Sequence, residues 1–289
     1  MPEVPSILII IPCYNEGFFV SYFLESLFSQ VYSGKVSIIV VDDNSNDNSY
    51  DILTRFQKPY KNLSVIKSLS NSKNHQPGSK IISAFYKGLE YYKKKYDIIC
   101  KFDADIILPK NYLELIAKEF LKNPRAGIVS GHLYIKDNDK WVYENISNKD
   151  ATRGPIKAYR KKCFQQIGGL KSSIGWDTID EMLARYYGWD VVTIPELHVK
   201  HLKPTGASYN SKAKYLQGEA FFKMRYGWWL TFITAAKMAW NKKNFKLIPD
   251  YLKGYKLAQK KNLEPLVTVD QGDFIRAYRW NGIKSKLGF

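Results

Sequence analysis

Three short aliphatic runs, each ending in acids or amides, constrain the fold of this chain most. They are SILIIIP at 6–12, VSIIVV at 36–41 and YDIICKF at 96–102. A continuous run of β-branched and aliphatic residues suits a strand buried on both faces of a parallel sheet. A shorter strand is predicted over 63–66. Helical spacing of apolar residues predicts helices over 18–30, 49–56 and 80–93. Strand and helix in alternation imply right-handed βαβ units around a parallel sheet. In such a sheet, ligands collect at the carboxyl ends of the strands. Asn15 and Glu16, Asp42 and Asp43, and Asp103 and Asp105 all follow strands and should converge on one edge.

Beyond residue 110 the alternation loosens. A helix is predicted over 112–121, a strand over 127–130, and a hairpin or loop over 132–152. A further helix follows over 177–187, then a strand over 191–194 that ends at Pro195. From Ala213 onward the sequence is helical, aromatic and basic. The expected organisation is a catalytic domain over 1–211, with a donor half at about 1–108 and an acceptor half at about 109–211, followed by an extension over 212–289. With 289 residues, 45% of them hydrophobic, the chain can bury a core of that size.

The formal charge is +17, and residues 212–289 supply most of it, with 16 Lys and Arg against 5 Asp and Glu. Such an excess points to a polyanionic partner or an anionic surface. Acids at three strand ends argue against nucleic acid, because they repel phosphates unless a metal intervenes. Cys13, Cys100 and Cys163 are too sparse for a disulfide framework, which favours a reducing compartment. The first residues lack the basic and apolar pattern of a secretion signal. No uncharged run approaches the roughly 20 residues needed to span a bilayer.

Asp103-Ala104-Asp105 holds two carboxylates around a small residue at a strand end. Mg²⁺ or Mn²⁺ on a diphosphate takes one or two protein carboxylates, so this triplet is the candidate metal site. Asp42 and Asp43 either cap a turn or accept hydrogen bonds from a base or ribose. His75 to Lys80 precedes a helix, where Gly78 would allow close backbone approach and Lys80 would add charge near phosphates. Asp177, Asp180 and Glu181 share one helix face. They are either candidate general bases or acids complementing the helix dipole. Arg185 stands one turn from Glu181 and could pair with it. His201, followed by Lys203 and Gly206, is a metal ligand or a structural histidine.

Taken together, IPCYNE over 11–16, VVDDNS over 40–45 and FDAD over 102–105 resemble the family 2 glycosyltransferases of the GT-A fold. The resemblance covers roughly 5–206 and continues through GPIKAYR at 154–160 and Gly168-Gly169. The stretches 175–181 and 201–206 are similar to a bacterial subgroup linked to cell-surface polysaccharide synthesis. The implied fold is a Rossmann-like α/β domain with a mostly parallel sheet, flanked by helices and followed by the basic helical extension. The implied reaction is an inverting transfer from a UDP- or GDP-sugar to a glycan or lipid-linked acceptor. The resemblance implies that Tyr14, Glu16 and Asp43 hold the nucleoside and that the triplet acids hold the metal and diphosphate. Together with the reading of the residues themselves, the expected donor contacts are Pro12, Tyr14, Glu16, Asp42, Asp43, Gly78, Lys80, Asp103, Ala104 and Lys203. Asp103, Asp105 and His201 would hold Mg²⁺ or Mn²⁺. The family's base motif is an adjacent Glu-Asp. Here the adjacent acids are Asp180-Glu181, whereas an ungapped count back from Gly188 selects Asp177, so Asp177 is the first candidate base and Asp180 the second.

Two other classes share some of these features. A metal-dependent nucleotidyl- or phosphotransferase also uses paired acids, and a silent nucleotide-sugar binder would keep the donor half alone. Tyr226 to Ile233, flanked by Lys and Arg, reads either as an amphipathic membrane-surface helix or as a lid on the main domain. The expected location is the cytoplasm, peripheral to the inner face of the cell membrane if that helix docks there.

Overall fold

The structure is a computed structural model that describes residues 4–68, 78–146, 148–203, 214–286 and 288. The loop residues His75 to Pro77, the stretch Pro204 to Gly206 and the expected boundary at 211 lie outside the described residues.

Strands β1 (Ile7–Cys13), β2 (Val36–Asp42), β3 (Leu63–Lys67) and β4 (Ile98–Phe102) lie in the order β3-β2-β1-β4 and pair in parallel. The order reverses at β1, so the gap between the ends of β1 and β4 is a topological switch point. Alternate residues of β1 feed two cores. Ile7, Ile9 and Ile11 face one cluster, which holds Phe23, Leu24 and Leu27 of α1 (Val20–Phe28) and Ile116 and Phe120 of α4 (Tyr112–Lys122). Leu8 and Ile10 face the other, with Ile82 and Phe85 of α3 (Ser79–Tyr91). Helix α2 (Ser49–Gln57) sets Leu53 into the first cluster. Helices on both faces bury a strand completely, which is why β1 reads as unbroken aliphatic sequence.

The sheet continues through strands that sequence periodicity showed only in part. β5 (Ile106–Ile107) follows Asp105 directly. β6 (Ala126–Asp137) and β7 (Lys140–Tyr143) form a hairpin, with Asn138 and Asp139 at positive φ in its two-residue turn. β8 (Ile156–Arg160) runs antiparallel between β4 and β6, and a short helix α5 (Lys161–Gln166) follows it. Among the described residues the sheet has nine strands.

The strand expected to stop at Pro195 instead runs from Asp190 to His201 as β9. Its register against β6 jumps from Ser130↔Thr193 to His132↔His198. The surplus residues bulge out, and Pro195 sits where the ladder does not require its missing N–H. Beyond the bulge, His201 pairs with Ile106. The bulge therefore carries the histidine back to the residue after Asp105, instead of leaving it in a loop past the strand.

Helix α6 (Trp176–Tyr186) packs on the second cluster through Trp176, Ile179, Met182 and Leu183. The basic C-terminal segment forms α7 (Leu216–Lys223), α8 (Gly227–Asn241), α9 (Leu247–Lys260) and α10 (Val269–Lys286). Phe221, Leu230, Tyr251 and Ile275 join that same cluster. Helices α7 and α9 cross at Gly218 and Gly254, where a Cβ would meet opposing backbone oxygens at 1.8 and 2.0 Å. No helix among the described residues is long and apolar enough to cross a membrane.

Candidate active site

The loops after β1 and β2 are stitched together. Asn15 N–H donates to Ser45 Oγ at 3.0 Å, Glu16 N–H to Ser49 Oγ at 2.7 Å and Gly17 N–H to Asp47 Oδ2 at 3.0 Å. Asn46 N–H returns a bond to Asn15 Oδ1 at 2.9 Å. Asn15 and Asn44 both adopt positive φ, which asparagine tolerates better than most residues. Ser45, Asp47 and Ser49 are thus loop anchors, a role not assigned to them from sequence. Pro12 is the penultimate residue of β1, opposite Val41, and Cys13 lies opposite Asp42. Asp42 and Asp43 are both buried, and Asp42 Oδ1 has no hydrogen-bond partner among the described residues. Tyr14 is half exposed at the lip, with the Lys80 ammonium 4.7 Å from its ring centre. Gly78 caps α3 at φ +88°, and a Cβ there would lie 2.7 Å from Ser173 O.

Across the switch point stands the acidic triplet. Ala104 is buried between its two neighbours. Asp103 accepts an ion pair from Lys101, a fully buried lysine whose Nζ also lies 3.4 Å from Gly154 O. Asp105 is buried, and its Oδ1 has no partner among the described residues. Burial raises its pKa and the Asp103 charge adds to this, while His201 and Lys203 pull against it. His201 Nε2 lies 3.8 Å from Asp105 Oδ2, and its Nδ1 lies 3.2 Å from Glu144 Oε2. Burial opposes the charged form of this imidazole, but the Glu144 hydrogen bond and the Asp105 charge outweigh it and raise the pKa. Glu144 is itself buried and held by Arg153 at 3.0 Å. Lys203 spans both carboxylate oxygens of Glu16 and stands 5.3 Å from the centre of the Phe19 ring. Burial pushes Glu16 up to about 7, with Lys203 pulling it back.

Glu144, His201 and Asp105 form a carboxylate–imidazole–carboxylate row. Such a row fixes the imidazole orientation and leaves Nε2 facing the second acid. Among the described residues no three acidic, histidine or cysteine side chains close into a full metal-binding set. Asp105 and His201 make a half-shell, which suits an ion that takes its remaining oxygens from phosphate and water.

The helix acids separate by environment. Asp177 is half-buried in the first turn of α6, and its Oδ2 would lie 3.5 Å from a Cβ placed on Gly154. Asp180 is fully buried; Lys157 Nζ donates to Oδ1 at 2.7 Å, Glu181 N–H donates to Oδ1 at 2.6 Å, and Tyr159 Oη donates to Oδ2. Burial pushes Asp180 up to about 7, Glu181 adds to that, and Lys157 opposes it. Glu181 accepts from Thr152 Oγ1 and lies 3.6 Å from Lys157 Nζ. Burial works against the charge on Lys157, but Asp180 and Glu181 outweigh it and raise its pKa. Among the described residues Arg185 makes no ion pair with Glu181; its Nε is buried without a partner, and its guanidinium lies 5.4 Å from the Tyr278 ring centre.

Lys101 and Lys157 are register partners on β4 and β8, and both ammonium groups lie within 5.6 Å of the Trp176 ring centre. A lysine inside an aliphatic strand is a readable anomaly, so Lys101 and Lys157 carried a signal. Glu144 and Arg153 carried none, because a lone acid in a polar hairpin looks like solvated surface.

The family model for glycosyl transferase family 2 matches residues 8–173. The chain belongs to glycosyl transferase family 2. The match takes in both stitched loops and the acidic triplet and ends just before α6. This family 2 chain is 26% identical over 149 residues to "Probable glycosyltransferase YdaM" of Bacillus subtilis, covering 51% of this chain and 34% of the relative. It is 27% identical over 171 residues to "Poly-beta-1,6-N-acetyl-D-glucosamine synthase" of Staphylococcus epidermidis, covering 59% and 36%. The chain thus spans about a third of the length of these two relatives. The mannosyltransferase PcManGT from Pyrobaculum calidifontis, solved with GDP-Man and Mn²⁺, shares the fold at a TM-score of 0.58 and 14% identity, over 98% of this chain and 81% of that one. S. aureus TarS 1-349 in complex with UDP-GlcNAc shares it at a TM-score of 0.56 and 17% identity, over 94% and 81%. The architecture is therefore that of the GT-A glycosyltransferases.

Proposed function

We propose that the protein is an inverting glycosyltransferase that moves a sugar from a UDP- or GDP-sugar to the hydroxyl of a glycan or lipid-linked acceptor. The product would serve cell-surface polysaccharide or glycolipid synthesis, on the cytoplasmic side of the membrane. The observation that carries this reading is the partnerless, buried Asp105 Oδ1 beside Asp103 and His201 at the switch point.

The nucleoside half is assigned to the stitched loops. Tyr14 offers a ring face, Asp42 a buried acceptor and Glu16 an acceptor steered by Lys203. Pro12 and Asp43 border that space. Lys80 and the N-terminus of α3 at Gly78 favour phosphate. Asp105 and His201, with Asp103, would hold Mg²⁺ or Mn²⁺, which supplies positive charge against the leaving diphosphate.

Asp177 is assigned as the base. It lies beside Gly154, whose carbonyl approaches the lysine that holds Asp103. The donor-side acids and Asp177 therefore share one wall. Asp180 and Glu181 are committed to Lys157 and Thr152 and act as supports for that wall. The acceptor oxygen bonds to the anomeric carbon, its proton passes to Asp177, and the bond from that carbon to the diphosphate oxygen breaks. Attack opposite the leaving group inverts the anomeric centre.

The test is release of nucleoside diphosphate from UDP-GlcNAc and GDP-mannose in the presence of Mn²⁺ and a membrane lipid extract. Release that disappears in Asp105→Asn supports the assignment. No release, and no change in melting temperature with either donor, would reject it.

A further inference from the structure

We infer that the outward face of α8, with the turn that follows it, is a docking surface for an anionic lipid membrane. This gives a physical form to the membrane contact that a lipid-linked acceptor would need, so its purpose rests on the proposed transfer, although its evidence does not.

Helix α8 has two opposed faces. Leu230, Thr231, Ala235 and Ala239 are buried against the domain. On the opposite side, Trp229 and Trp240 are each 72% exposed and Phe232 is 43% exposed. Positions 229, 232, 233, 236 and 240 follow helical spacing, so these rings line one stripe about three turns long. Phe245, 60% exposed, packs edge-on to Trp240 at 6.2 Å and extends the stripe past the helix end. Single exposed apolar residues are ordinary, but a stripe of large rings is not.

Cations border the stripe. Lys237 lies beside it on α8, close enough to Lys286 and Arg279 of α10 for their charges to lower its pKa, after the larger effect of burial. Exposed Lys243 and Lys246 sit in the turn between Trp240 and α9. Trp and Phe favour the headgroup boundary, and Lys beside them meets lipid phosphates. A second copy of this chain would set these cations against their own kind, so charge complementarity favours an anionic surface over self-association. The helix lies on such a surface and does not cross it.

Flotation of the full chain with phosphatidylglycerol–phosphatidylcholine vesicles, against pure phosphatidylcholine, tests this. The expected result is salt-sensitive binding to the anionic vesicles with a blue shift of Trp emission. Trp229→Ser and Trp240→Ser should each lower partitioning roughly tenfold, and Lys243→Gln and Lys246→Gln about fivefold each. Melting temperature and donor turnover in detergent-free buffer should stay at the parent values, because these side chains face solvent. Absence of binding at low salt, or undiminished binding by all four variants, would overturn the inference. So would a dimer in light scattering that the Trp variants dissociate, since the stripe would then be a contact between copies. Donor turnover is read separately, so failure to bind membrane is distinguishable from failure of the transfer reading.

Discussion

Substituting Asn for Asp177 and for Asp180 separates two roles that lie one helical turn apart. Asp180 sits at 1% exposure against Lys157 at 0%, with Nζ to Oδ1 at 2.7 Å. Above pH 7, where Asp180 is ionised, removing its charge leaves a buried ammonium short of a partner, which costs about 3–5 kcal/mol. Glu181 at 3.6 Å still offers partial compensation, so the loss belongs at the lower end, about 3 kcal/mol. For a chain of this length that is roughly 6–12 °C in melting temperature. Asp177 is half-buried, and its carboxylate makes no hydrogen bond among the described residues. Its replacement loses only a helix-terminus charge effect of about 0.3–1 kcal/mol. As the base, however, it should carry about 10²–10⁴-fold in turnover, or roughly 3–5 kcal/mol of barrier. Thermal melts paired with nucleoside diphosphate release read both quantities. Full turnover by Asp177→Asn would refute the assignment of the base. An Asp180→Asn variant that melts with the parent would refute the burial argument.

Glu144→Gln should weaken Mn²⁺ binding about tenfold by calorimetry, because His201 loses the acid that orients it; unchanged affinity would remove Glu144 from the site. Gly78→Ala should lower the melting temperature, since φ is +88° and the new Cβ would lie 2.7 Å from Ser173 O, and a neutral result would show that the segment relaxes freely. Without metal or donor, stability should fall as pH rises from about 5 to 8. Burial raises Glu16 and Asp180 to about 7, and Glu144 raises His201 against burial. The folded chain therefore holds protons that the unfolded chain has released, and their stabilisation fades as pH climbs through the folded values. Urea midpoints across that range check the sign, Glu16→Gln should flatten the slope, and a rise with pH would contradict it.

The first half of the sheet was legible because its signals are local. A doubly buried strand must be aliphatic, so the polar residues that end each run stand out, and Asp42, Asp103 and Asp105 could be placed at the carboxyl ends of β2 and β4 before any contact was known. The alternation also fixed the parallel pairing of β1, β2 and β4. The rest of the sheet depends on pairings distant in sequence. No periodicity reveals that β8 inserts between β4 and β6, or that a bulge at Pro195 carries His201 back to Ile106. The same distance hid the Glu144 to His201 contact. The spacing of Asp177, Asp180 and Glu181 placed them on one helix, but burial gave them different partners, and burial is a tertiary property.

In the proposed site Asp105, with His201 and Asp103, holds a divalent ion against a nucleoside-diphosphate sugar. Calorimetric titration of the protein with UDP-GlcNAc and GDP-mannose, in Mn²⁺ and in EDTA, tests it most directly. One donor should bind in Mn²⁺, and that binding should be lost in EDTA and in Asp105→Asn. Equal affinity in EDTA, or full affinity in Asp105→Asn, would contradict it.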